Sequence, residues 1–170
     1  MSKKLFLLPA FIFGAFLMTT TTSCGDKCKD VECNTGTCLD GTCECSDGFE
    51  GTNCEIEWSA KFLGTNYLGT DNVTASTSVP SNVGTYNLTS PAVVTRISET
   101  EIQISNFGGF SSFVNATLTS SGEVRIDFTD PSPRKFVGTA TLNGNTLTGS
   151  YRVTFTDGSY DDATFTYTKS

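Results

Sequence analysis

The stretch NTLTGSYRVTFTDGSYDDATFTYT, residues 145–168, decides the fold of this chain. In both halves of it, apolar or small residues alternate with threonine, serine or arginine, and an Asp-Gly pair between the halves is a strong hairpin-turn signal. Such alternation predicts strands with one buried and one solvated face. We predict an antiparallel hairpin of strands 146–156 and 163–168, joined through 157–162. Five side chains are expected to face its interior: Tyr151, Val153, Phe155, Phe165 and Tyr167.

The same pattern continues through the rest of residues 58–170, where threonine, valine, serine, glycine and phenylalanine are frequent. Val124, Ile126 and Phe128 alternate with polar residues and predict one more strand. Further strands are predicted near 60–69, 73–79, 84–89, 92–98, 101–107, 112–119 and 135–142. No segment has a convincing helical periodicity. We therefore predict an all-β fold of about eight to ten short antiparallel strands, arranged as a barrel or a sandwich.

Two segments resemble the lipocalin-like, or calycin-type, β-barrels that follow export signals in bacterial lipoproteins. They are LGTNYLGT at 63–70 and the closing hairpin at 145–168. The Gly-x-Trp signature of that family is absent, because Ile56 and Glu57 precede Trp58. The resemblance implies a barrel whose interior holds either packed side chains or one small ligand.

The first 24 residues, MSKKLFLLPAFIFGAFLMTTTTSC, predict export from the cytoplasm. Lys3 and Lys4 precede an apolar run at 5–17, and small polar residues follow that run. The run is shorter than the roughly 20 residues that a helix needs to span a bilayer. This pattern is typical of a cleaved signal peptide, which we assign to residues 1–23.

The segment TTTTSCGD at 19–26 resembles the lipobox of bacterial lipoproteins, in which a small residue precedes a cysteine that is diacylated before cleavage. Ser23 fits this pattern, and Thr21 stands where a leucine is usual. The resemblance implies that Cys24 is the lipid anchor, with palmitate as a typical acyl group, and that it holds the protein on a membrane. We expect an exported lipoprotein of the outer membrane or cell surface of a Gram-negative bacterium.

Seven cysteines lie at positions 24, 28, 33, 38, 43, 45 and 54. An odd number in an exported protein leaves one thiol to be explained, and the lipid anchor accounts for Cys24. The other six fall within 27 residues with the spacing C-x4-C-x4-C-x4-C-x-C-x8-C. A segment this short needs covalent cross-links to fold, although its cysteines allow many pairings. A zinc site is disfavoured because the chain has no histidine.

The run CECSDGFEGTNC at 43–54 resembles the final part of an EGF-like repeat, with its Gly-Phe pair and a glycine three residues before the last cysteine. The resemblance implies three disulfide bonds: Cys28–Cys38, Cys33–Cys43 and Cys45–Cys54. We divide the chain into a signal peptide (1–23), a lipid-anchored EGF-like module (24–57) and a barrel-like domain (58–170). Within the EGF-like module, Asp40 and Gly41 are predicted to form a plain turn.

Acidic residues concentrate in the N-terminal module. Residues 24–57 hold nine acidic side chains against two lysines, a net charge of −7. Residues 58–170 hold nine acidic against seven basic side chains, a net charge of only −2. This distribution argues against nucleic-acid binding and against electrostatic adhesion to anionic lipid.

The motif DGSYDD places Asp157, Asp161 and Asp162 on one hairpin, where we expect solvated turn residues, with weak calcium binding as the alternative. A second polar group is interpreted as strand-end residues: Arg125, Asp127 and Asp130. Catalysis is disfavoured, because the chain has no histidine and no cysteine outside the disulfide set and Cys24 to build a nucleophile–base pair.

Aromatic residues are the other candidates. The segment NFGGFSSF contains Phe107, Phe110 and Phe113, which belong either to the core or to the mouth of a ligand site. Tyr86 and Tyr160 are candidates for contacts with sugars. Two functions therefore stay open: an anchored protein that binds a small apolar ligand or a protein partner, and a structural spacer with a solid barrel. A cavity favours the first and a packed interior the second, and neither requires a cofactor.

Overall fold

The structure is a computed structural model that describes residues 27–170. The predicted signal peptide and Cys24 lie outside the described residues. The N-terminal strands are β1 (Gly36–Leu39), β2 (Thr42–Cys45), β3 (Phe49–Glu50) and β4 (Ile56–Glu57). A short helix, α1 (Trp58–Phe62), follows them. The later strands are β5 (Gly64–Ser76), β6 (Gly84–Asn87), β7 (Ala92–Ser98), β8 (Glu101–Ser105), β9 (Phe113–Ser120), β10 (Glu123–Thr129), β11 (Lys135–Asn143), β12 (Thr146–Thr154) and β13 (Tyr160–Lys169).

Eight strands form a closed antiparallel barrel. From β7 to β13 each strand pairs with the next one in the chain, and β5 pairs with both β7 and β13 to complete the circle. The short strand β6 extends the wall beside the later part of β5. The all-β fold is thus confirmed, and it is a barrel and not a sandwich.

The up-and-down topology gives the barrel two distinct ends. Helix α1, the turns after β7, β9 and β11, and the C terminus lie at one end. Phe62 is fully buried there, and its carbonyl accepts a hydrogen bond of 2.8 Å from the Tyr67 hydroxyl. We call this the closed end. The connections after β5, β8, β10 and β12 lie at the opposite end, which we call the open end.

The closing hairpin has the predicted face inside. Tyr151, Val153, Phe165 and Tyr167 are all buried, and Phe155 is half-buried against the same core. Their alternating neighbours on the two strands are mostly exposed to solvent. The register places Phe165 opposite Gly149, so that a residue without a side chain lies across from the large ring.

Three local predictions were wrong. Residues 58–62 form a helix, which is too short for a helical periodicity to be visible in the sequence. The two strands predicted at 60–69 and 73–79 are one strand of 13 residues, β5. The hairpin connection is shorter than predicted, because β13 begins at Tyr160, and residues 160–162 therefore belong to the sheet.

Three disulfide bonds cross-link the N-terminal module: Cys28–Cys38, Cys33–Cys43 and Cys45–Cys54. These are the pairs that the EGF-like resemblance implies. Asp40 and Gly41 form the two-residue turn between β1 and β2, and both have the positive φ angles of a type I′ turn.

The N-terminal module adjoins the closed end of the barrel. The Trp58 amide at the start of α1 donates a hydrogen bond of 2.8 Å to the Gly48 carbonyl. Glu57 forms an ion pair with Arg96 of β7. The module therefore lies at the end of the barrel opposite the open end.

Candidate functional site

A cavity of about 470 Å³ lies at the open end of the barrel. Its walls come from the later part of β5, from β6, and from the paired strands β12 and β13. The connections 77–83 and 106–112 border its mouth. Its volume falls within the range of roughly 300–1,000 Å³ that is typical of small-molecule sites. The barrel is thus hollow at this end.

The remainder of the barrel interior is filled. Phe107, at the start of the 3₁₀ turn Phe107–Gly109, is buried and reaches into the middle of the barrel. Its ring lies 4.7 Å from that of Tyr151 and 5.2 Å from that of Phe165, measured between centroids. These aromatic rings separate the cavity from the core beneath it.

Asp71 lies in the wall at the inner part of the cavity and is only 4% exposed. Its two carboxylate oxygens accept hydrogen bonds from two phenols, at 3.1 Å from Tyr151 and at 2.7 Å from Tyr167. Burial raises the pKa of Asp71, although both phenol hydrogen bonds act in the opposite direction. The Tyr167 hydroxyl also accepts a hydrogen bond of 3.0 Å from the Gly108 amide, which ties the 3₁₀ turn to the wall.

Asp161 is the second carboxylate of the cavity and is 8% exposed. It is paired with Val153 on β12 and with Ser76 on β5, and it faces the interior. The hydroxyls of Ser76 and Ser78 both donate to the same oxygen, Oδ1, at 2.5 and 2.6 Å. The other oxygen, Oδ2, has no hydrogen-bond donor among residues 27–170.

The rim of the cavity is apolar and aromatic. Val79 and Tyr86 are both nearly half exposed at the mouth, and Phe110 and Phe155 line it from the other sides. Exposed apolar side chains of this kind are typical of ligand grooves and binding surfaces. The guanidinium of Arg134 stacks on the aromatic ring of Phe110, 4.6 Å from its centroid.

The predicted aspartate cluster does not exist as one site. Asp157 stays in the turn, where it accepts hydrogen bonds from the amide and hydroxyl of Ser159. Asp162 faces outward and forms a bidentate ion pair with Arg152 at 2.7 and 2.8 Å. The expectation of a solvated turn was therefore wrong for Asp161, because it lies on the strand β13 with its side chain toward the interior.

The other strand-end candidates have structural roles. Asp130 is buried and binds Arg134 through two guanidinium nitrogens and the Arg134 amide, which closes the connection between β10 and β11. Asp127 is paired with Arg125 and Lys135 on the outer surface. These contacts agree with the interpretation as strand-end polar residues.

The aromatic candidates divide between core and cavity. Phe107 belongs to the core, Phe110 lines the cavity, and Phe113 packs against Phe128 with 5.5 Å between centroids. Tyr86 lines the cavity, and its hydroxyl donates a hydrogen bond of 2.8 Å to the Asn82 carbonyl. Tyr160 lies under the guanidinium of Arg152, 3.9 Å from it, on the outside of the sheet.

Asp71 was missed by the sequence reasoning, although a signal for it exists. Tyr67, Gly69, Asp71 and Val73 share one face of β5, and the first of these is fully buried. A carboxylate on the buried face of a strand is rare unless it has partners, and it is a candidate for a functional group. The two-strand interpretation of 60–79 concealed this, because it placed Asp71 in a connection.

Within residues 27–170, no group of three or more His, Cys, Asp or Glu side chains is arranged to hold a metal ion. No helix in the same part of the chain is long and apolar enough to cross a bilayer. Comparison of the chain with protein-family models, with curated proteins and with solved structures gave no match. The functional argument therefore depends on the geometry and charge of the cavity.

Proposed function

We propose that this protein is an exported, lipid-anchored, non-catalytic lipoprotein whose barrel binds a small ligand in the cavity at its open end. The observation that carries the proposal is the cavity itself, whose apolar wall contains a few buried polar groups. This composition is typical of small-molecule sites, where apolar contacts supply affinity and polar groups orient the ligand.

The position of the N-terminal module supports the anchored arrangement. Three disulfide bonds within 28–54 favour an oxidising, exported compartment. The N-terminal module adjoins the closed end, so an anchor at Cys24 leaves the open end directed away from the membrane. We propose the outer membrane or cell surface of a Gram-negative bacterium as the location, with the acidic module as a solvated spacer.

A structural spacer is the second candidate. It is favoured by the aromatic packing around Phe107, which fills the barrel below the cavity with side chains from four elements. If the protein is a spacer, the cavity has no binding function, and no ligand co-purifies with the protein.

Native mass spectrometry of the mature protein purified from its host distinguishes the two candidates. Ala163→Leu is expected to fill part of the cavity, because Ala163 is buried in the wall opposite Tyr151. Thr164→Leu is the matched control, since Thr164 is the next residue and faces solvent. We expect a ligand mass on the wild type and on Thr164→Leu, and little or none on Ala163→Leu. No ligand on any of the three, or equal amounts on all three, would contradict binding in the cavity.

The anchor is tested separately by Cys24→Ser. A single acylated cysteine is expected to hold an otherwise hydrophilic protein on the membrane, so its loss should move the protein to the soluble fraction. Cell fractionation followed by detection of the protein measures this. Retention of the variant on membranes would contradict the role of Cys24.

A further inference from the structure

The charge of the cavity wall has one sign. Among residues 27–170, Asp71 and Asp161 are the carboxylates that line it, and no lysine or arginine does. The guanidinium of Arg134 lies over Phe110 at the rim, and two of its nitrogens donate to Asp130. A ligand in this cavity therefore meets carboxylates and no cationic lining side chain among residues 27–170.

The two cavity carboxylates differ from the other buried carboxylate of the described chain. Asp130 is also buried, but it has a bidentate guanidinium partner. Asp71 and Asp161 have only uncharged hydroxyl donors. Burying a carboxylate without a cation is costly, and that cost is relieved when a cationic group binds beside it. Among residues 27–170, these two buried carboxylates thus have no cationic partner.

The space around these carboxylates suits an organic cation. Apolar side chains, among them Leu88, Phe110 and Val153, form much of the wall. A bare metal ion would need several more oxygen ligands, whereas an ammonium group needs only two or three acceptors and tolerates an apolar body.

We infer that the ligand of this cavity is a small organic amine, whose ammonium group is held by Asp161 and Asp71 and whose apolar or aromatic body packs against the rim. The inference rests on the proposed binding function and specifies its ligand class. Asp161 supplies its free oxygen Oδ2. Asp71 supplies the further lone pairs of oxygens that already accept from Tyr151 and Tyr167.

Three probes of matched size test this on the mature full-length protein: 2-phenylethylamine, 2-phenylethanol and 3-phenylpropanoate. Isothermal titration calorimetry at neutral pH measures their affinities. We expect the amine to bind about 10- to 100-fold more tightly than the alcohol, as is usual for a charge-assisted hydrogen bond, and the carboxylate to bind more weakly than both. This comparison needs no variant, so it holds even if a substitution prevents folding.

Asp161→Asn and Asp162→Asn provide the matched pair of variants. Both remove one negative charge from neighbouring residues, but only Asp161 lines the cavity. We expect Asp161→Asn to reduce the amine affinity to that of the alcohol, and Asp162→Asn to leave it within about twofold of the wild type. An equal loss in both variants would overturn the inference, because it would indicate only a general effect of net charge.

The outcomes also separate this inference from the proposed function. If the alcohol binds as tightly as the amine, the amine inference fails, while binding in the cavity stands. If none of the three probes binds and the purified protein carries no ligand, both fail.

Discussion

The hydrogen bonds around the Asp71 carboxylate connect four parts of the barrel. Asp71 belongs to β5, Tyr151 to β12 and Tyr167 to β13, and the Gly108 amide joins them from the 3₁₀ turn. Burial, and then the negative charge of Asp71, raise the pKa of both tyrosines further above their ordinary range. Both phenols therefore stay protonated and act as donors at any physiological pH.

The first prediction at this scale concerns Asp71 and pH. Burial raises its pKa above the ordinary value of 3.8, with Tyr151, Tyr167, Tyr86 and Asp161 as the titratable groups around it. Its contribution to stability is therefore fully present below the unfolded pKa and is lost as the pH rises through the folded pKa. Asp71→Asn has no such loss. We expect urea melts to show the variant gaining stability, relative to the wild type, as the pH rises from below 3.8 through the raised pKa of Asp71.

Asp162→Asn is the control, because its effect on stability is expected to depend on pH in the opposite direction. The hydrogen bonds from Arg152 lower the pKa of Asp162, so its contribution is present at neutral pH and is lost as the pH falls through that lowered value. The variant should be less stable than the wild type near neutrality, and this difference should shrink in acid. The same trend for both variants would show that the buried carboxylate at Asp71 is not the cause.

A second residue-scale prediction concerns the two faces of β13. Phe165 is 3% exposed, and its ring centroid lies 4.8 Å from that of Tyr167 and 5.2 Å from that of Phe107. Phe165→Ala should cost about 3–5 kcal/mol in free energy of unfolding, the usual loss for an aromatic residue removed from a core. Thr166→Ala, one residue along on the exposed face, should cost well under about 1 kcal/mol. Denaturant melts give both values, and equal costs would mean that the two faces are reversed.

At the scale of elements, the 3₁₀ turn Phe107–Gly109 decides how much of the barrel is hollow. It turns into the interior after β8 and places Phe107 on top of the core. Gly108 and Gly109 both have left-handed φ angles, 64° and 71°, which make this sharp turn possible. Without the inward turn, the cavity would extend toward the aromatic rings of the core.

The element-scale prediction uses these two glycines as a matched pair. A Cβ on Gly109 would have nothing within 4 Å, so Gly109→Ala should cost only the roughly 1–2 kcal/mol of a left-handed alanine. A Cβ on Gly108 would lie 2.5 Å from the Tyr151 hydroxyl oxygen. Gly108→Ala should therefore cost clearly more, and it should also weaken binding of the amine probe, because Tyr151 must move away from Asp71.

Urea melts and calorimetry on both variants provide the comparison. Equal destabilisation by Gly108→Ala and Gly109→Ala would indicate that backbone strain alone matters and that Tyr151 does not depend on the turn.

An element could be predicted from the sequence where its own residues determine it, without contacts from distant parts of the chain. The strands β12 and β13 alternate strictly over many residues, so their faces could be predicted from the sequence. In β5 the glycines and the Asp71–Asn72 pair weaken the alternation, and the strand was divided in two. The cavity could not be predicted at all, because its walls depend on how the connections 77–83 and 106–112 meet strands that are distant in sequence.

At the scale of the whole molecule, two differently stabilised modules share one junction. The barrel has a continuous buried core and no cysteine after Cys54. In the described part of the N-terminal module, residues 27–57, Cys54 is the one buried apolar residue, and three disulfide bonds hold the module. Trp58, the single tryptophan of the chain, packs against the barrel core beside this junction.

The whole-molecule prediction is that a reducing agent unfolds residues 28–54 and leaves the barrel largely intact. Each disulfide bond closes a loop of about ten residues, worth roughly 2.7 kcal/mol, and this short module lacks a core to replace it. Far-UV circular dichroism should retain the β signal, while Trp58 fluorescence changes as the junction loosens. An unreduced sample incubated in parallel is the control. Cooperative loss of the entire β signal would mean that the barrel depends on the module.

The pairing that closes the barrel also determines how the molecule responds to mechanical tension. Lys169 at the end of β13 is paired with Tyr67 near the start of β5, and the Asn66 side chain donates a hydrogen bond to the Ser170 hydroxyl. A pull between the N-terminal side and the C terminus therefore acts at the same end of two antiparallel neighbours. The hydrogen bonds between them then break one after another from Lys169 toward Asp161, and do not resist together as they would in shear. Under such a force β5 and β13 unzip, and the pair of Asp161 with Ser76 is the last to separate.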